Sequence, residues 1–303
     1  MKAVIQTNYQ GIDSLQLVSV KQPKPNPFGD VVKVASAPVL PWDIMSEQGQ
    51  LRNLNPQRLP AIIGYGFAGT IVESGKLRGT GKIGQRVIGV AQSGSIAEYA
   101  AANIPIFTFK LPDNVSLMQG ATIFGGADAA QMMLSHVKIP DNGQVLVLGP
   151  SGGVGSYLVQ LLNLQNNYPT LLTSKRSELF VRNSFPDNQI RVSATELQSA
   201  HYDIIFDTTG GQELLHQAEL GLKSHGTLFT ASLPHYQSNR SDIHVMFHNN
   251  PISPNQYRKI LALIANGDLT PFIDTTYPIE DIKTAQHHVL EDPKRGQTLI
   301  TFK

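Results

Sequence analysis

From Val145 to Leu162 the chain reads VLVLGPSGGVGSYLVQLL, and no other stretch restricts its possible folds as much. Val145 to Leu148 form an apolar run with the length and composition of a buried strand, and the apolar spacing beyond Val154 is that of a helix. Glycines stand between them at 149, 152, 153 and 155. In such a turn the free N–H groups of the helix start point at an anion and the helix dipole favours negative charge, a contribution of ~0.3–1 kcal/mol. Gly152 would let a diphosphate approach the backbone, Gly155 would let the helix lie close on the sheet, and Gly149 and Gly153 are suited to positive φ. Read as the dinucleotide fingerprint G-x-G-x-x-G, the motif has Pro150 in its first glycine position. Ser151, Gly152, Gly153, Val154 and Gly155 are therefore the expected cofactor turn, and a purely structural strand-to-helix turn is the alternative.

Around this turn the pattern alternates. DAAQMMLSHV, GSYLVQLLNLQ, SELFVRNSF, QELLHQAELGLK and NQYRKILALIANG read as helices, and QVLVLG, TLLTS, YDIIFDTT and GTLFTAS as strands. Strands alternating with helices predict a doubly wound parallel sheet of the Rossmann kind in an α/β fold. Before about Lys110 the runs are short and broken by Gly and Pro, which predicts a β-rich, barrel-like unit. Pattern alone leaves the place of the last stretch, from Thr270, ambiguous. A length of 303 residues is compatible with about two domains.

The second strand of the α/β half bears on the cofactor. A site for NAD(H) places an acid about 20 residues past the turn, whereas a site for NADP(H) places cations there to meet the 2′-phosphate. Here Ser174, Lys175 and Arg176 close the strand and the first acid, Glu178, lies beyond them, so NADP(H) is expected; the alternative is a solvated surface pair.

Composition narrows the partners. With 24 basic and 23 acidic residues and a net charge of +1 there is no global field to attract nucleic acid or anionic lipid, so a small molecule is the expected partner. The chain has no cysteine, which removes disulfides, thiolate nucleophiles and thiolate-ligated zinc. No apolar run approaches the ~20 residues that span a bilayer and no signal-peptide pattern opens the chain, so a cytoplasmic protein is expected. His244 and His248 stand four apart without a third ligand and read as a loop or surface pair; His287 and His288 read as surface residues.

GYGFAGTIVESG, GQRVIGVAQSGSIAEYAAA, SGGVGSYLVQL and DIIFDTTGG, in that order, resemble the medium-chain dehydrogenase/reductase superfamily, specifically its zinc-independent quinone oxidoreductase branch. The resemblance implies a GroES-like catalytic domain, a partly open barrel built from residues 1–117 and 268–303, around a Rossmann NADP(H)-binding domain at 118–267. Where alcohol-dehydrogenase relatives carry zinc ligands, this chain has Leu40 and the run Gly64, Tyr65, Gly66, so no catalytic metal is expected. Tyr65 is then the candidate hydrogen-bond or proton donor, or else a wall residue, and Asp43 the candidate orienter of the active-site loop. Trp42 either faces the substrate pocket or simply packs.

By the same resemblance Thr208 and Thr209 would lie beside the cofactor riboses, and Ala231, Ser232 and Leu233 would offer backbone groups to the carboxamide. The implied function is NADPH-dependent hydride transfer to a quinone or α,β-unsaturated carbonyl, with a homodimer as the implied assembly. An alkenal or enoyl double-bond reductase is the near alternative. A non-catalytic NADPH-binding sensor is the distant one, motivated by departures from the family pattern at Leu40, Ala129 and Pro150.

Overall fold

The computed structural model describes residues 1–54, 56–78 and 82–303. Six strands form a sheet in the order Ile190–Arg191, Thr170–Leu172, Val145–Leu148, Tyr202–Asp207, Leu222–Thr230, His244–Met246. Every pairing in it is parallel, as the alternating pattern predicts. Its central strand Val145–Leu148 is fully buried, because the helices Gly153–Asn163 and Gln212–Ala218 cover opposite faces. Two of its strands escaped the sequence pattern: Ile190–Arg191 is too short to show a period, and His244–Met246 is an exposed edge.

A second sheet orders Ile273–Pro278, Gln297–Thr301, Asp30–Pro38, Gly66–Ser74, Arg86–Val90 and Thr108–Lys110, with Tyr99–Ala102 also pairing Asp30–Pro38. A three-stranded sheet of Gln16–Ser19, Lys2–Gln6 and Ala61–Ile62 adjoins it. Together these give the chain a GroES-like β-rich unit beside its Rossmann unit. The ambiguous tail thus belongs with the first third of the chain. Leu299, Ile300 and Thr301 pair antiparallel with Pro38, Ala37 and Ser36.

The tail is locked a second time by helix packing. Helix Ile282–Glu291 lies against helix Pro41–Glu47, and the Gln286 amide donates to buried Glu47 Oε1 at 3.0 Å. The other two atoms of this pair, Glu47 Oε2 and Gln286 Oε1, are buried without partners. A proton on Glu47 would turn Oε2 into the donor that Gln286 Oε1 lacks. Burial, with the charge of Asp43 one helical turn away, pushes the Glu47 carboxyl up to about 8 from an ordinary value of 4.5.

The glycine turn has the conformation its sequence implies at three of four positions. Gly149 has φ of +79°. A Cβ on Gly155 would stand 2.1 Å from the Gly149 carbonyl oxygen, so only glycine lets the helix approach the strand end this closely. Around Gly152 the space is open, the nearest atom to a Cβ being 3.8 Å away. Gly153, by contrast, is the first helical residue and needs no positive φ; its constraint is a Cβ position 2.2 Å from Gln297 Oε1.

Two outcomes follow from these contacts. Gly155→Ala must push the helix off the strand and is expected to cost about 1–3 kcal/mol in urea denaturation, with weakened dinucleotide binding by fluorescence titration. Glu47 has a folded-state pKa above its unfolded value, so its contribution to stability is complete below about pH 4.5 and is lost as pH rises through about 8. The melting temperature should therefore fall between pH 5 and pH 9 by less in Glu47→Gln than in the parent protein.

Candidate active site

One large cleft of about 1110 Å³ runs between the two units, with the glycine turn on one wall and Leu40, Trp42, Tyr65, Phe107 and Tyr257 on the other.

The cofactor wall begins at helix Gly153–Asn163. Gly152 occupies its N-cap and no side chain caps it, so the first-turn amides keep their capacity for an external acceptor. Gly149, Ser151, Gly152, Gly153 and Val154 line the cleft; Gly155 lies behind them and acts through packing. The tail closes over this turn. The Gly296 N–H donates to the Ser151 carbonyl at 2.8 Å, Gly152 and Gly296 form an isolated parallel bridge, and Lys294 and Gln297 reach the same cleft. These features fit a bound dinucleotide: an open Cβ position at Gly152, an uncapped helix start and a lined trough leading away from both.

Asp207 at the end of its strand organises the two neighbouring segments. Its Oδ1 accepts from the Thr209 N–H at 2.8 Å and the Thr209 hydroxyl at 2.6 Å, while Oδ2 accepts from the Thr230 hydroxyl at 2.8 Å. Thr230 Oγ1 in turn accepts from the amides of Ser232 and Leu233, and the Ala231 amide donates to the Asp207 carbonyl. Ala231, Ser232 and Leu233 line the cleft with their N–H groups engaged, which leaves carbonyls to face a ligand. Thr208 and Thr209 also line it, but the Thr208 hydroxyl donates to Leu148 and Gly149 carbonyls and so braces the turn.

At the second strand, Ser174 and Ser177 reach the cleft. Lys175 and Arg176 lie just outside its lining, both exposed. The Lys175 ammonium pairs with Glu178 at 2.6 Å, and its side chain is 82% exposed, so that pair is weak and exchangeable.

On the substrate wall, Tyr65 is partly buried, with its ring edge-on to Phe124 at 6.2 Å. Burial, followed by the charge of Asp128, holds its phenol well above the usual value of 10. Asp43 is elsewhere. It lines a smaller polar cavity of about 440 Å³ with Gln6, Ser46, Glu47, Gln57 and Gln92, on the far side of Tyr65 and Trp42, which border both spaces. Burial pushes the Asp43 carboxyl up to about 7. Trp42 stacks on Phe247 at 6.1 Å. Leu40 fills the space above Gly125, whose φ of +62° and absent side chain accept it, and Ala129 lines the cleft.

Three positions in the cleft escaped the sequence reading. Asp128 opens helix Asp128–His136 and its Oδ2 accepts from the Tyr257 hydroxyl at 3.1 Å, a contact across 129 residues that no local pattern could show. His248 lies in the loop after strand His244–Met246, as its sequence reading allows, and there it lines the cleft stacked on His136 with ring centres 4.0 Å apart. His287 and His288 are both half-buried; His288 is held between Asp274 at 2.6 Å and Asp292 at 2.9 Å, and His287 pairs with Glu291 at 3.1 Å. Among the described residues no group of three or more His, Cys, Asp or Glu side chains is arranged so that it could hold a metal ion, so the residues present do not fit zinc.

Two family models match the chain: an alcohol dehydrogenase GroES-like domain over residues 29–113 and a zinc-binding dehydrogenase domain over residues 181–300. A quinone-oxidoreductase homolog of the spinach chloroplast is 33% identical over 192 residues, covering 60% of this chain and 58% of that protein. An NADPH-dependent alkenal/one oxidoreductase of the Arabidopsis thaliana chloroplast is 29% identical over 69% of this chain and 58% of its own length. These matches thus span less than two thirds of either relative. Among solved structures, the quinone oxidoreductase of Coxiella burnetii superposes with a TM-score of 0.86 at 21% identity, covering 100% of this chain and 99% of that one. The CurK enoyl reductase gives 0.87 at 18% identity, with the same coverage. Matched domains, their order and the two-unit architecture agree: this chain belongs to the medium-chain dehydrogenase/reductase superfamily, and proteins named quinone oxidoreductase are among those it is similar to.

Proposed function

We propose that the protein is an NADPH-dependent reductase of quinones or α,β-unsaturated carbonyl compounds, working without a metal ion. The observation that carries this reading is the single cleft in which an uncapped helix start and an apolar, phenol-bearing pocket face each other. Named activities of relatives, a quinone oxidoreductase homolog and an alkenal/one oxidoreductase, support the same acceptor class. The domain division we adopt is 1–117 with 268–303 for catalysis and 118–267 for the cofactor. A cytoplasmic homodimer is the assembly we infer, with the exposed edge strand His244–Met246 as the place where a second copy's sheet would continue.

When bound, the reduced nicotinamide supplies the hydride. The protein's part is placement and charge stabilisation. Ser151 to Val154 take the diphosphate, Gly155 sets the helix at the right distance, and Thr208, Thr209 and the carbonyls of Ala231 to Leu233 border the nicotinamide side. Ser174, Lys175 and Arg176 receive the 2′-phosphate, for which Lys175 exchanges Glu178 for a doubly charged partner. Phe107, Met132 and Trp42 exclude water from the acceptor, and the Tyr65 hydroxyl donates a hydrogen bond to the oxygen on which negative charge develops. An electron-poor acceptor delocalises that charge itself, which suits a site whose donor is a phenol. Asp43, behind Tyr65, orders the loop from the polar side.

Purified protein is expected to oxidise NADPH in the presence of at least one member of a panel of quinones and enals, followed at the nicotinamide absorbance. Tight NADPH binding with no oxidation across the panel would favour a non-catalytic sensor instead. Replacing Lys175 and Arg176 together by Ala should weaken NADPH by about 1.5–3 kcal/mol and NADH far less; equal losses for the two dinucleotides would refute the phosphate role.

A further inference from the structure

Hydride transfer leaves the acceptor one proton short, and the groups lining the cleft that carry a proton include Tyr65, Asp128, His248 and Lys294. Tyr65 is a phenol held well above its usual pKa, suited to donating a hydrogen bond and poorly suited to parting with its proton. Asp128 is a carboxyl only 8% exposed, in a cleft whose lining includes the apolar side chains of Leu40, Phe107, Met132 and Ile252. A carboxylate in such surroundings is costly unless it is paired or carries a function. Its hydrogen-bond partners are neutral: the Ala129 N–H donates to Oδ1 at 2.7 Å and the Tyr257 hydroxyl to Oδ2 at 3.1 Å.

The local backbone is built around this carboxyl. Just before it, the turn Ile123–Ala127 leaves helical conformation at Phe124, with ψ of 126°, and at Gly125, with φ of +62°. That kink aims the Gly125 and Gly126 amides at the Asp128 carboxylate. Tyr257 is itself immobilised, 2% exposed, with Phe109, Phe124 and Phe107 around its ring at 5.1, 5.8 and 6.1 Å.

We propose that Asp128 is the catalytic acid that protonates the reduced acceptor, with Tyr257 as its positioning residue; this rests on the reductase reading above. The acceptor gains two electrons and a proton as hydride from the reduced nicotinamide, which leaves oxidised. The hydride forms one new C–H or O–H bond as the C–H bond that carried it breaks, the acceptor's π pair moves onto its oxygen, and the proton released as the Asp128 O–H bond breaks forms the second new bond, to that oxygen or to the α-carbon. The carboxylate that remains regains a proton from water entering the cleft.

The titration of this group suits the role. Burial raises the Asp128 carboxyl to about 6, and the Tyr257 hydroxyl and the amides of Ala129, Gly125 and Gly126 hold it from rising further. Such a group exchanges protons with water near neutrality. The titratable groups around it are phenols on three other elements, Tyr65, Tyr157 and Tyr257, all of which titrate far above this range. His248, which lines the same cleft on the His136 ring, is the group that titrates nearby, lowered from 6.5 by burial and by His136.

Asp128→Asn retains the shape and the acceptor oxygen for Tyr257 but carries no transferable proton. Its kcat for NADPH-dependent enone reduction is expected to fall on the order of 10²-fold, with the dissociation constant for NADPH unchanged. Independently of turnover, infrared difference spectra of the cofactor-free protein should show a carboxyl titrating near pH 6 that is lost in Asp128→Asn and kept in His248→Gln. Tyr257→Phe, the variant to rely on if Asp128→Asn does not fold, should move that titration and the falling limb of the pH–rate profile to higher pH. Unchanged turnover in Asp128→Asn, or an unmoved profile in Tyr257→Phe, would overturn the assignment while leaving the reductase reading intact. Absence of turnover in the parent protein would overturn both.

Discussion

Two glycines at a crossing point hold this molecule's working geometry. Gly152, at the start of the Rossmann helix, and Gly296, at the end of the returning tail, lie side by side as a parallel bridge, with the Gly296 amide on the Ser151 carbonyl. A Cβ on Gly296 would stand 2.2 Å from the Phe272 carbonyl, so the approach depends on the missing side chain and on a φ of +120°. Through this contact the unit that grips a cofactor and the unit that shapes the pocket share one wall. Gln297, one residue on, continues it: it sits against Gly153 and donates to the Phe124 carbonyl, linking the phosphate turn to the kink beside Asp128.

Inside that frame, two buried carboxyls are used in different ways. Asp207 accepts four kinds of donor from Thr209, Gly210 and Thr230 and holds two strand ends in register, an anchoring role. Asp128 is held by a turn of backbone amides and one phenol, and it lines the cleft. The same residue type is thus structural where it ties strand ends together and chemically available where it borders the cleft. Glu47 illustrates a third case, a carboxyl whose neutral form matches the amide it faces.

Much of the fold was legible in the sequence because its signals are local. Four buried residues, a glycine turn and an amphipathic helix specify the central Rossmann unit within 18 residues, and the constraint at Gly155 follows from that order alone. Helix Pro41–Glu47 was not legible: seven residues starting at Pro41 give too few turns for a periodic signal, so the sequence offers Asp43 as the orienter of an active-site loop and gives no sign of the helix, or of the polar side cavity, on which it lies. The site itself was half legible. Residues 151–155 stand out through the strand–turn–helix pattern and 208–209 through the family resemblance; of these, 151–154, 208 and 209 line the cleft. Asp128 and Tyr257 meet only through folding, and their partnership leaves no trace in spacing.

The return of the tail into the first sheet bears on how the protein is made. Strand Gln297–Thr301 pairs with Asp30–Pro38 across more than 250 residues of intervening chain, so during synthesis the amino-terminal strands emerge long before the neighbour that completes them. Until those residues are made, the Ser36–Pro38 end of the strand lacks its neighbour, while the Rossmann strands and helices, which come earlier in the chain, can already close. A barrel strand waiting for its partner is thus tethered to a unit that can fold first, and the return of Gln297–Thr301 decides whether that edge seals or pairs wrongly.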